Sequence, residues 1–365
     1  MRTGWGTAAI VGTLLLEGML LSPRAAAQDQ SQAPTEAAPP PVNISGFVDT
    51  YFDWNFARPK SHTNRFRNFD LTENQFVVSA AEVDIQRSPT PIGFRIDANY
   101  GSATDIIHAG NPGTLNTFQQ AYLTAVVPVG AGLTVDAGKF VTHMGYETIK
   151  SKDNLNYSRS FLFAWAIPYY HLGVRVAYPV ATNLTLGACV CNGWNASTLN
   201  SGKTFGASLS YAPTPSLSLL ANWIGGPEQP DSLGNNLRHV VEAIVAYQAS
   251  DRLSFAVDGN YGTETVGGPT MTWKGVALYG RLVLTDASAI ALRAEVYSDP
   301  QGYTTGLIQE LKEVTLTYEY RLFANFIVRG EFRHDWSSTT AFDGETGAGT
   351  LRHQSTLGLG SVISF

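Results

Sequence analysis

From Val42 to the last residue, apolar side chains recur at every second position, and that periodicity restricts the chain to β-structure. In FRIDANY (Phe94–Tyr100), Phe94, Ile96, Ala98 and Tyr100 alternate with Arg95, Asp97 and Asn99. HLGVRVAY sets Leu172, Val174 and Val176 against His171, Gly173 and Arg175. IALRAEVYSD sets Ile290, Leu292, Ala294 and Val296 against Arg293, Glu295, Tyr297 and Asp299. EVTLTYEYRL and FIVRGEFRHD repeat the pattern, with Glu313, Glu319 and Arg321, then Arg329, Glu331, Arg333 and Asp335, on the polar side. Strands are therefore expected at 43–56, 74–87, 92–100, 118–127, 132–140, 169–178, 183–193, 203–211, 216–224, 237–248, 252–262, 272–284, 289–298, 310–322, 325–335 and 352–365.

A soluble sandwich also alternates, with its apolar face inward. The connections argue against it. Short ones such as SPTP (Ser88–Pro91), ASD and TDAS take turns with long ones at 57–73, 101–117, 141–168, 194–202, 225–236, 263–271, 299–309 and 336–351. About sixteen antiparallel strands with short turns at one end and long loops at the other describe an up-and-down transmembrane β-barrel of the outer-membrane kind. Its apolar set faces lipid and its polar set faces the lumen. Lys139, Lys203, Lys274 and Lys312 interrupt the apolar set where strands meet long loops, a height at which lysine reaches the headgroups of lipid and lipopolysaccharide at little cost. The final strand must pair with the first, since an open edge in lipid leaves backbone groups unpaired. Its outward set, Leu357, Leu359, Ser361 and Ile363, ends on Phe365.

The N-terminus reads as a processing segment. Arg2, the apolar Ala8–Leu21 and Ala25-Ala26-Ala27 make residues 1–27 a cleaved signal peptide, and the Pro/Ala/Gln-rich residues 28–41 a periplasmic tether, leaving 42–365 as the barrel. A net charge of −6 and the lack of any dense basic run exclude nucleic acid as a partner. The seven histidines are scattered and no G-x-S-x-G occurs, so no catalytic site is expected. Cys189 and Cys191, the two cysteines, point the same way on one strand, poorly placed for a disulfide. With no histidine or further cysteine close in sequence, they read as small pore-facing residues rather than as metal ligands, and neither a metal nor a cofactor is expected.

Sixteen strands enclose more space than side chains fill, which leaves an aqueous channel. Arg95, Asp97, Asp136, Arg175, Arg293, Glu295, Arg321, Arg329, Glu331 and Arg333 stand on its wall, where they either line water or pair across strands. Inward carboxylates slightly outnumber inward bases, which points to a mild cation preference. Loop 141–168 is the longest, and it joins charged residues to the apolar SFLFAWAIP. Either it folds into the barrel, placing Glu147, Lys150, Lys152, Asp153 and Arg159 at a constriction, or it caps the barrel or packs on a neighbouring subunit.

SGFVDTYFDWNF (Ser45–Phe56), GKFVTHMGYE (Gly138–Glu147), NYSRS (Asn156–Ser160), PYYHLGVR (Pro168–Arg175) and NGWN (Asn192–Asn195) resemble the OmpL-like β-barrel porin family, over about residues 44–365. The resemblance implies a bacterial outer-membrane porin through which small hydrophilic solutes and ions diffuse. In general porins the loop at the position of 141–168 narrows the barrel. Analogy with them also implies a homotrimer, and Phe365 resembles the C-terminal signal read by the barrel assembly machinery. The alternative is a structural or adhesive barrel with a plugged lumen.

Overall fold

The computed structural model describes residues 40–109, 116–196, 200–233 and 237–365. The expected signal peptide and most of the tether lie outside them. The chain forms one closed antiparallel barrel of sixteen wall strands. These are β1 (Asn43–Asn55), β2 (Phe76–Arg87), β3 (Ile92–Tyr100), β4 (Phe118–Val127), β5 (Leu133–Val141), β6 (Tyr170–Ala181), β7 (Leu184–Cys191) and β8 (Thr204–Thr214). They continue as β9 (Leu217–Pro227), β10 (Leu237–Gln248), β11 (Leu253–Thr265), β12 (Thr270–Thr285), β13 (Ser288–Asp299), β14 (Gln309–Phe323) and β15 (Phe326–Ser337). A hairpin, β16 (Phe342–Gly344) and β17 (Gly347–Leu351), precedes the last wall strand, β18 (His353–Ser364).

Every wall strand pairs with its chain neighbour, and β18 pairs with both β15 and β1. Closure runs in register from Phe47 opposite Ser364 to Asn55 opposite Thr356. Phe365 continues it, its N–H donating to Gly46 O at 3.0 Å and its carbonyl accepting from Gly46 N–H at 3.2 Å. Its ring passes over Gly46, where any side chain would collide with it.

The strand ends fall within three residues of those expected, because period two leaves little freedom in register. The 263–271 connection is the clearest difference: β11 and β12 run on through it, leaving four residues, Val266–Pro269, as the turn. Between β3 and β4 a short helix, α1 (Ser102–Ile107), also forms.

The barrel has two apolar surfaces. One is the outward set, exposed along the strands at Val245, Val257, Leu278, Leu292, Leu316 and Leu359. The other lies inside. Phe161, Leu162, Phe163, Ala166, Ile167 and Tyr169 of the loop between β5 and β6 pack on inward Val240, Trp273, Tyr279, Tyr297 and Leu311. The loop therefore folds into the lumen. Burying this run against the wall removes it from water, which a loop standing clear of the barrel could not do.

Candidate functional site

The loop from Thr142 to Tyr169 turns inward at Gly145, whose φ of +103° favours glycine and where a side chain would meet Ile167. From there the wall holds its backbone by charge. Gly145 N–H donates to both oxygens of Glu242, at 3.0 and 2.9 Å, and Tyr146 N–H reaches Asp258 at 3.5 Å. Glu331 accepts from Tyr157 N–H at 2.7 Å and Ser158 N–H at 3.0 Å. Glu295 accepts from Phe161 N–H at 2.7 Å and Leu162 N–H at 2.5 Å. Arginines take the carbonyls: Arg329 donates to Ser151 O at 2.5 Å and Asn154 O at 2.8 Å, and Arg333 to Arg159 O at 2.6 Å. Hydrogen bonds to charged groups contribute about 1.5–3 kcal/mol each, so the set fixes the loop firmly.

Side chains complete the attachment. Arg293 bridges Glu147 of the loop at 2.7 Å and Glu313 of β14 at 2.6 Å, and all three are buried. Lys150 reaches the opposite wall, its Nζ 2.6 Å from Glu82, 2.9 Å from Asp84 and 3.3 Å from Asp97. Those carboxylates lie close enough together to hold a metal ion, and the ammonium stands among them. Burial alone would lower the Lys150 pKa, but the three carboxylates outweigh it and raise it, so Lys150 remains charged. Ser151 Oγ and Tyr157 OH both donate to Asp49, at 2.6 and 2.8 Å.

What stays open lies along β3 to β9. A cavity of about 350 Å³ separates the loop from this wall, and a second of about 550 Å³ opens beside Phe365 at the short-turn rim. Arg95, Tyr122, Lys150 and Thr185 line both cavities. Gly187, Gly206 and Ser208 keep the far wall of the smaller one low.

The charged residues expected to form the pore divide into two groups. Arg95 (2.8 Å from Asp97), Asp136 (2.8 Å from Arg175), Lys150, Lys152 and Asp153 (2.8 Å apart) border the passage. Arg293, Glu295, Arg329, Glu331 and Arg333 lie beneath the loop and hold it. Glu147 belongs functionally with them, since its carboxylate is turned to Arg293 and to Ser160 N–H and Oγ–H. Arg159 does not reach the constriction. Its guanidinium donates to the carbonyls of Tyr157, Thr148 and Ile149 and lies over the Phe69 ring, closing the loop on itself. Arg321 is exposed near the short-turn end of β14.

At the long-loop rim Lys203, Lys274 and Lys312 are exposed, the last 2.9 Å from Glu310. Lys139 is not offered to lipid. It is buried under α1, its Nζ 2.6 Å from His108 Nε2 and 4.2 Å from the centre of the Tyr170 ring. Burial first, then the Lys139 ammonium, pushes the His108 pKa down to about 4. The sequence reading missed this contact because nothing in residues 101–109 indicates where α1 lies. It also missed Glu82, Asp84, Glu242 and Asp258 as partners of the loop. Their signal is positional: each is an inward acid with no basic residue directly across the strand pairs.

The described geometry is that of a sixteen-stranded barrel with its third long loop folded inside, and comparison with known proteins agrees on the barrel. Residues 41–365 match the family model described as "Putative beta-barrel porin-2, OmpL-like". No curated protein matches in sequence. Among solved structures, the anion-selective porin from Comamonas acidovorans superposes with a TM-score of 0.64 at 11% identity, over 89% of this chain and 99% of that one. The channel DcaP of Acinetobacter baumannii gives 0.59 at 13%, over 90% and 99%. OmpT of Vibrio cholerae gives 0.56 at 14%, over 89% and 97%. The match over nearly the whole barrel is decisive: the chain belongs to the OmpL-like β-barrel porin family and is a channel-forming, non-enzymatic protein of the bacterial outer membrane.

Proposed function

We propose that small hydrophilic solutes diffuse passively through the passage between the inserted loop and the β3–β9 wall. The observation that carries this reading is that Arg95, Tyr122, Lys150 and Thr185 line both cavities, so the two adjoin. Ion preference should be weak, since Arg95, Arg175, Lys150 and Lys152 share the passage with Asp84, Asp136 and Asp153. The carboxylate excess behind the expected cation preference sits largely with Glu242, Asp258, Glu295 and Glu331, which are turned to loop N–H groups rather than to water. Two features temper the channel's size. One side of the lumen is filled by the apolar core, and the loop is held at many points, so the aperture is narrow and steady.

In the cell the chain would be exported by cleavage after residue 27, inserted by the barrel assembly machinery through Phe365, and set among lipid and lipopolysaccharide by Lys203, Lys274 and Lys312. A homotrimer fits as well, since a trimer form is described for OmpT of Vibrio cholerae. Swelling of liposomes containing the folded protein, in sugars of graded size, tests the reading. Swelling in small sugars with a sharp cutoff is expected. No swelling in any of them would favour a plugged structural barrel.

A further inference from the structure

Cys189 and Cys191 are not alone on the inner wall. His171 of β6 and His143 of the inserted loop, distant from them in sequence, stand beside them, where the sequence placed no histidine. Cys191 Sγ lies 3.6 Å from His171 Nδ1, Cys189 contacts both Cys191 and His143, and the two imidazole centres are 6.2 Å apart. Strand register sets Gly173 opposite Cys191 and Gly206 opposite Cys189. A methyl group at Gly206 would stand 2.5 Å from Cys189 Sγ and 2.6 Å from His143 Cε1, so thiol and ring meet there because residue 206 has no side chain.

The hydrogen bonds assign roles to the imidazoles. His143 Nε2 is 3.1 Å from Trp223 O, and a carbonyl only accepts, so Nε2 carries the proton and Nδ1 keeps its lone pair. A histidine whose second nitrogen donates to a backbone carbonyl is set up as a metal ligand. His171 differs: Nδ1 donates to Gly193 O at 3.1 Å and Nε2 accepts from Thr142 Oγ1 at 3.2 Å, so it packs against Cys191 without a free lone pair. Arg175, across from Cys189, is drawn to Asp136 at 2.8 Å, which offsets its repulsion of a cation. The two cysteines are i, i+2 on one strand with parallel side chains, Cα atoms about 6.6 Å apart, a poor geometry for a disulfide.

We propose that Cys189, Cys191 and His143 bind a soft, thiophilic metal ion, of the class that includes Cu(I), Zn(II) and Cd(II), entering from the passage that His143 and Cys189 line. Two thiolates and an imidazole suit such ions, and water in the passage that Cys189 and His143 line would supply a fourth ligand. Binding releases the thiol protons, and side-chain rotation brings the three donors together on the ion.

Cd(II) is the probe, added to the full-length protein folded in detergent under reducing conditions. One Cd(II) per chain with thiolate-to-cadmium charge-transfer absorption in the ultraviolet is expected, with loss of that absorption in Cys189→Ser/Cys191→Ser. His143→Ala should weaken binding at least ~10-fold. No absorption from the folded wild type, or the same absorption from the double serine variant, would overturn the proposal. So would thiol titration of the untreated protein that finds the two cysteines joined. The absorption does not depend on conductance, so failure of the channel reading and failure of this site are told apart. In a conducting channel Cd(II) should reduce the current of the wild type and leave that of Cys189→Ser unchanged; equal block of both would count against the site.

Discussion

Asp84 on β2 and Asp97 on β3 are direct cross-strand partners on the inner wall. Like charges so placed destabilise a sheet. The ammonium of Lys150, 2.9 Å from one and 3.3 Å from the other, removes the conflict and ties the inserted loop to that wall. Attachment of the loop and the charge of the aperture thus rest on the same side chain.

Lys150→Met keeps the length of the side chain and removes its charge. It should lower the thermal midpoint of barrel unfolding, because breaking a buried pair costs about 3–5 kcal/mol, with this water-bordered site at the lower end. In a salt gradient the reversal potential should move toward cation preference, as Glu82, Asp84 and Asp97 lose their counter-charge. An unchanged reversal potential would show that these carboxylates do not face the ion path.

Glu295→Gln preserves shape and weakens the clamp on Phe161 and Leu162 N–H. The amide keeps one acceptor oxygen and turns an N–H toward the other loop N–H, which should cost about 1–3 kcal/mol. The barrel should still fold, while the loop becomes open to proteolysis and the single-channel current becomes noisier. Wild-type protease resistance in this variant would contradict the clamp.

Much of this was legible in the sequence. Period two, repeated through every strand, distinguishes the two faces of each strand, and Glu295, Glu331 and Arg329 meet the inserted loop from the polar one. Their partners were not legible, because those partners are backbone N–H and C=O groups of a loop more than a hundred residues away, and any residue type supplies them. Glu295 faces Glu313 across β13 and β14, a repulsive pair that predicts a third party once the register is known. Lys139 and Tyr170 follow the outward period faithfully, yet a helix of six residues covers them. Alternation fixes the face of a residue but does not show what lies over it.

His108 gives a pH dependence confined to that helix. Its folded-state pKa, about 4, lies below the ordinary 6.5, so the unfolded segment takes up the proton first as pH falls. The stability contributed by the neutral ring is complete above pH 6.5 and is lost between 6.5 and about 4. Amide protection factors over residues 102–108, each taken relative to the intrinsic rate at its own pH, should therefore be lower at pH 4 than at pH 7. Equal protection at both would contradict the contact with Lys139.

Phe365→Ala should leave the folded barrel nearly as stable as before, since the side chain is 70% exposed and the bonds to Gly46 are backbone bonds. The amount of folded protein reaching the outer membrane should fall. Unchanged outer-membrane levels would remove Phe365 from the assembly signal.

The most direct measurement is single-channel conductance of the refolded mature protein in a planar bilayer. A steady conductance, below that of an unobstructed barrel of sixteen strands and raised by Glu295→Gln, is the predicted result. No conductance from protein shown to be folded and inserted would contradict the account, leaving the loop a plug rather than a constriction.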